Sequence, residues 1–203
     1  FVPAVWANAQ DGITESRRNA LVKAIEKASP AVVSINIIQT QTQRVIDPFL
    51  RDFWGLFDVP PVRKRVRNRE FHSVGSGFIF DKDGHVLTNY HVIEGATAVS
   101  VNLTDGTRLD AQVVGADARA DVAVLKVNGE DLPCLSLGRS DDLMAGEWVI
   151  AIGNPFGPYM RDPQPTVSVG VVSANQRRIS PDIAGGERLY QDMIQTDAAI
   201  NPG

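Results

Sequence analysis

The sequence has almost nothing with which to cross-link itself: a single cysteine, Cys134, in 203 residues. One thiol excludes an internal disulfide, so the fold rests on apolar burial in either a reducing or an oxidising compartment. Cys134 itself reads as a small buried hydrophobe. Positive charge is not in excess either, and a net charge of -4 with a pI near 5.4 weighs against a polyanion such as nucleic acid as partner. No apolar run approaches the ~20 residues that a membrane-spanning helix needs. The three histidines, His72, His85 and His91, do not have zinc-ligand spacing, so no metal or other cofactor is expected. His85, on an Asp-Gly turn, reads as merely exposed. With 43% apolar and 22% charged residues, what is present is an ordinary globular composition, sufficient for one large domain or two small layers.

The first nine residues, "FVPAVWANA", are apolar and end in Ala7-Asn8-Ala9, the small-x-small pattern that signal peptidases accept. Residues 1–9 read as the tail of a secretory signal, with a frayed tail as the other reading, and residues 10–30 as an N-terminal segment. Within it, Leu21, Val22, Ile25 and Ala28 share one helical face, and Pro30 terminates the pattern. From residue 31 the chain reads as strands: 31–38, 76–80, 85–89, 98–103, 108–115, 122–127, 147–153, 166–174 and 188–196 are short, rich in β-branched residues and separated by turn signals. Asp83-Gly84 and Asp105-Gly106 are the clearest hairpin turns. Many short strands without helical periodicity predict an all-β sandwich or pair of barrels.

Residues 39–72 interrupt this rhythm and are too long for a structureless connection in a compact domain. They predict a functional or mobile loop. Phe49, Phe53, Trp54 and Phe57 in it call for cover by a partner subunit or a neighbouring loop. The basic run "RKRVRNR" reads as a solvated, protease-sensitive loop face, with nucleic-acid binding as the lesser alternative.

Chemistry enters at "VLTNYHV", which places His91 just past a strand end, where an imidazole can be part-exposed at a cleft. Asp121 opens the strongly apolar strand "VAVLKV", and a carboxylate there must be solvated or paired. Thirty positions separate the two, room for two intervening strands and a meander that brings them together. An aspartate that accepts a hydrogen bond from an imidazole fixes its tautomer and stabilises the imidazolium during proton transfer. The missing member is a nucleophile. No G-x-S-x-G elbow occurs, and Ser73, Ser76, Ser136, Ser140 and Ser168 lie in no nucleophile motif.

"GSGFIFDKDGHVLTNYHV", "DVAVLKV", "AIGNPFG", "TVSVGVVSA" and "IQTDAAINPG", in this order over most of residues 75–203, resemble the HtrA (Deg, or protease Do) family of serine proteases. The resemblance implies a chymotrypsin-like double β-barrel over residues 31–203, its second barrel incomplete within these residues, with the triad order His, Asp, Ser. It implies that His91 is general base and then general acid, that Asp121 orients it, and that the nucleophile is a serine just beyond Gly203. Gly203 then supplies one backbone N–H of the oxyanion hole. By itself the 203-residue chain is expected to be inactive.

The same resemblance makes 39–72 the family's mobile loop, whose aromatic part contacts neighbouring active sites, and implies a homo-oligomer, a trimer or multiples of one. Arg177 matches the sensor-loop arginine that relays activation, although "NPFGPYMRDPQPTVSVG" is longer and richer in proline than the family pattern. Peptide-binding PDZ domains, which usually follow the protease, lie outside these residues. The implied function is periplasmic quality control: endoproteolysis of unfolded or misfolded proteins. A non-catalytic, chaperone-like binder of the same fold is the alternative, and Asn102-Leu103-Thr104 is a chance glycosylation sequon in a bacterial source. A protonated imidazole cannot accept the serine proton, so the rate of the full-length enzyme is expected to fall as pH drops through the imidazole range, about 6.5 for a free ring. A rate profile that stays flat from about pH 5 to 8 would contradict this.

Overall fold

The computed structural model describes residues 17–45, 65–155, 164–179 and 189–200. Helix α1 (Ala20–Ala28) starts at Asn19, whose side chain accepts a hydrogen bond from the Val22 N–H at 3.0 Å, satisfying one of the free donors of the first turn. Pro30 then forces a 3₁₀ turn over Ser29–Ala31, and the chain enters β1. The expected apolar face is present, but Leu21, Val22, Ile25 and Ala28 are half-buried, none fully so.

Six strands close a barrel in the order β1-β2-β3-β6-β5-β4. They are β1 (Val32–Val45), β2 (Arg65–Ile79), β3 (His85–Thr88), β4 (Ala98–Asn102), β5 (Arg108–Asp117) and β6 (Val122–Val127), all antiparallel to their neighbours. Alternation along each strand sends one set of side chains inward: Val33, Ile35 and Ile37 from β1, Ile79 from β2, Val86 from β3, Val101 from β4, and Ala123, Leu125 and Val127 from β6. Burying each large one contributes about 1.5–3 kcal/mol. Closure also removes the open edges that a free sheet would present.

Both expected Asp-Gly turns form. Gly84 and Gly106 take φ of 86° and 87°, left-handed values that a residue with a Cβ avoids. A Cβ on Gly84 would also strike the Val127 carbonyl at 2.5 Å. A second sheet, β7-β8-β9, contains β7 (Trp148–Gly153), β8 (Thr166–Ile179) and β9 (Tyr190–Thr196). The all-β double-barrel expectation thus appears as one closed barrel and part of a second. No helix among the described residues is long and apolar enough to cross a membrane.

Two expectations need correction. Residues 39–45 and 65–72 are not loop: β1 and β2 continue as a paired arm from Gln39 opposite Phe71 out to Val45 opposite Arg65. Pairing satisfies their backbone groups, while their mostly polar sequence lacks the apolar alternation that signals a strand. The basic run accordingly enters β2 at Arg65, and residues 46–64, with the four aromatics, lie outside the described residues, as do residues 1–16. Second, His85 is not merely exposed, because its Nδ1 lies 2.7 Å from Asp81 Oδ2 and its ring stacks on Phe80 at 5.8 Å. The same turn groups Asp81, Asp83 and His85 with potential ligand atoms within 4.8 Å of one another, and exposed acidic groups of this kind are common without a metal.

Gly77 tests the barrel packing. A Cβ there would lie 2.7 Å from the Leu87 carbonyl and 2.8 Å from Ile35 Cδ1, whereas one on Gly115 meets nothing within 4 Å. Gly77→Ala is expected to lower unfolding stability by about 1–3 kcal/mol in urea titration. Gly115→Ala should leave it unchanged or raise it by up to about 1 kcal/mol. Asp81 gives a pH test: the His85 backbone N–H at 3.0 Å, helped by the ring, holds its carboxyl below the ordinary value. A depressed carboxyl contributes stability that is complete above the ordinary aspartate value, about 3.9, and is lost as pH falls through the folded-state value. Stability of Asp81→Asn should therefore decline less steeply than wild type below about pH 4 in parallel melts.

Candidate active site

Register builds the site. β3 and β6 pair with Thr88 opposite Ala123, so the residues leaving β3 and those entering β6 emerge side by side at one end of the barrel. After Thr88 the chain forms a single helical turn, α2 (Tyr90–Ile93), which the strand-only reading did not foresee. Its apolar pins seat it: Ile93 is buried in the barrel core, and Val92 lies over Gly75, where a Cβ would come within 2.5 Å of Val92 Cγ1. Gly75, in the "GSG" stretch, is thus needed for the seat of the turn that carries His91.

Asp121 immediately precedes β6 with φ of 54°, a left-handed conformation that aspartate tolerates better than most residues. One of its carboxylate oxygens, Oδ2, lies 2.7 Å from His91 Nδ1, and the other, Oδ1, accepts the His91 backbone N–H at 2.9 Å. The Asp121 side chain is 8% exposed and that of His91 51%, so a buried carboxylate grips an accessible ring. Burial of an unpaired carboxylate would be costly, and the two hydrogen bonds offset that cost. The carboxylate can only accept, so the ring proton is assigned to Nδ1 and the Nε2 lone pair is left free. That is the protonation state a general base requires.

The residues approaching Gly203 are held on β8. Asp197 Oδ1 accepts the Val171 N–H at 2.7 Å, Ser168 Oγ donates to the Ala199 carbonyl at 2.6 Å, and Ala198 is buried. Gly170 is the close-approach point, where a Cβ would collide with Asp197 and Ala198. Across the molecule, the Asn154 N–H donates to Ser76 Oγ at 2.8 Å, joining the end of β7 to the barrel. Among the described residues, no serine hydroxyl is hydrogen-bonded to His91. A cavity of about 640 Å³ lies between β2, β3, residues 135–138 and β7, but neither His91 nor Asp121 lines it.

The structure brings the side chains of His91 and Asp121 together. Gly203 lies outside the described residues. Arg177 is not on a loop: β8 runs on to Ile179 through bulges, and Arg177 stands exposed on it opposite Met193. Irregular pairing, with Gln176 at φ of 53°, breaks the alternation by which a strand is recognised beyond residue 174. Sequence reading missed α2, the seat at Gly75 and the docking role of Asp197; of these, only the glycine pair around Ser76 carried a visible signal.

Comparison with known proteins agrees with this geometry. A family profile described as trypsin-like peptidase domain matches residues 75–203. A probable periplasmic serine endoprotease DegP-like of Ectopseudomonas mendocina (strain ymp) is 44% identical over 195 residues, which cover 88% of this chain and 38% of that protein. The putative serine protease HhoB of Synechocystis sp. is 44% identical over 200 residues, covering 97% of this chain and 44% of that protein. Among solved structures, an HtrA-type protease, AlgWS227A with decapeptide, superimposes with a TM-score of 0.70 at 37% identity over 91% of this chain and 53% of that one. The chain spans less than half the length of these curated relatives. With a buried carboxylate oriented on an accessible imidazole at one end of a six-stranded barrel, and with these matches, the chain belongs to the trypsin-like peptidase family, in its HtrA/Deg group.

Proposed function

We propose that the whole protein is an exported serine endopeptidase of periplasmic protein quality control that cleaves unfolded or misfolded polypeptides. The observation that carries this reading is the two-point grip of the buried Asp121 carboxylate on His91, at 2.7 Å to the ring and 2.9 Å to the backbone. Relatives named periplasmic serine endoproteases support the compartment and the reaction. Solved structures of an HtrA-type protease with a decapeptide and with a tripeptide support a peptide substrate. On this reading residues 1–9 are the remnant of an export signal and residues 31–203 the front of the protease domain.

In the proposed mechanism His91 Nε2 accepts the proton of a serine that follows Gly203 as its oxygen attacks the scissile carbonyl carbon. The imidazolium so formed is stabilised by Asp121, which remains ionised. The backbone N–H groups of Gly203 and of the serine receive the carbonyl oxygen as it becomes an oxyanion. His91 then returns the proton to the leaving amine as the C–N bond breaks, and the acyl-enzyme is hydrolysed by a water that His91 activates in the same way. Arg177 is proposed to be regulatory, and the active form a trimer or a multiple of one.

Fluorophosphonate labelling of the full-length protein tests the reaction class. We expect labelling of the wild type on a single serine, together with digestion of an unfolded protein substrate. Asp121→Asn should lower kcat by about 10⁴-fold by reversing the tautomer of the ring, and His91→Ala by about 10⁶-fold. A folded wild type that binds unfolded protein and takes no label would instead be a chaperone-like member of the same fold.

A further inference from the structure

We propose that Asn89 is a positioning residue of the acid–base pair, its side-chain amide holding the Asp121 backbone in the left-handed turn that presents the carboxylate to His91. This rests on the protease reading above. Asn89 Nδ2 donates to the Asp121 carbonyl oxygen at 3.0 Å. That carbonyl belongs to a residue at φ of 54°, a conformation less favourable for a residue with a Cβ, although aspartate tolerates it better than most, and one that neighbouring contacts help to hold.

The approach to Asp121 is secured separately. Asp117 Oδ1 accepts the N–H groups of Arg119 at 2.8 Å and Ala120 at 3.1 Å, and the Arg119 carbonyl accepts the Leu189 N–H at 2.8 Å. These bonds fix the loop as far as residue 120 and leave the orientation of Asp121 to later contacts. The His91 bonds act on the carboxylate, whereas the Asn89 bond acts on the carbonyl, where the left-handed turn passes into β6. One short segment thus grips Asp121 at carbonyl, Oδ1 and Oδ2, and the bonds from Asn89 Nδ2 and the His91 backbone persist whatever the protonation of the ring.

Local helix formation does not explain the residue. Asn89 occupies the N-cap position of α2, where asparagine ordinarily bonds a backbone N–H of the first turn, yet its side chain makes no capping bond. The amide reaches across to Asp121 instead. Asn89 is exposed, so its substitution removes no core packing. Asparagine supplies a neutral donor at this point, and aspartate, an equally good cap, supplies none.

The test uses the full-length protein with Asn89→Ala and Asn89→Asp. Misplacing a catalytic group slightly costs on the order of tenfold to a hundredfold in rate, and both variants are expected to lose that much in kcat with KM and melting temperature held. The second-order rate of fluorophosphonate labelling should fall in parallel. In a His91→Ala background, Asn89→Ala should cause no further loss, because the residue acts through the pair. Wild-type rates in Asn89→Asp would show that capping suffices and overturn the proposal. So would an undiminished rate in Asn89→Ala, or an equal loss in the His91→Ala background. If the wild type itself fails to react, the protease reading falls and this inference with it; if it reacts and the Asn89 variants match it, only this inference falls.

Discussion

The site depends on a buried carboxylate that one short segment of chain must satisfy. Asp121 is nearly sealed from solvent at the mouth of β6, and both of its oxygens are taken by His91, one through the ring and one through the backbone. A charge in that position is tolerable only with such partners. The arrangement also couples parts that would otherwise be independent: the β3–β6 register, the seating of α2 on Gly75 and the left-handed backbone of Asp121 must all hold for both bonds to form. The ring is consequently held in one orientation, and its accessible Nε2 is set as an acceptor.

The barrel provides the rigidity that this orientation needs. Its core is a continuous set of β-branched and leucine side chains from β1, β2, β3, β4 and β6, with Ile93 of α2 packed into it. The helical turn that carries His91 is therefore pinned to the same core that aligns β6 and Asp121. On the second sheet, the approach to Gly203 is pinned in another way, by a carboxylate on a backbone amide and a glycine that permits close contact. A hydrogen bond from Asn154 to Ser76 joins the two parts, so the His91–Asp121 pair and residues 197–199 are referred to one frame.

Much of this was legible in the sequence because it follows from local pattern. The alternation in "VAVLKV" and "HVLTN", and the glycines of the two Asp-Gly turns, place strands and reversals wherever they occur. Other features carry no such signal. The arm of β1 and β2 from Gln39 to Val45 and from Arg65 to His72 is polar, and only pairing with a distant segment makes it a strand. The single turn of α2 is too short for a helical period to register. His85 looked solvent-facing because its neighbour Asp81 is recognised as a partner only once the turn is folded.

The sequence alone determined the all-β class, the alternating parts of the strands and the identity of the pair, because side-chain alternation, turn chemistry and the run of motifs from residue 75 onward are properties of contiguous residues. It also located His91 and Asp121, each at the end of a strand. Only the tertiary structure decided that Thr88 faces Ala123, that Asp121 turns left-handed with Asn89 on its carbonyl, and that Arg177 stands on a strand. Those outcomes depend on hydrogen bonds between residues far apart in the chain, and the partners of such bonds are chosen by packing rather than by local preference.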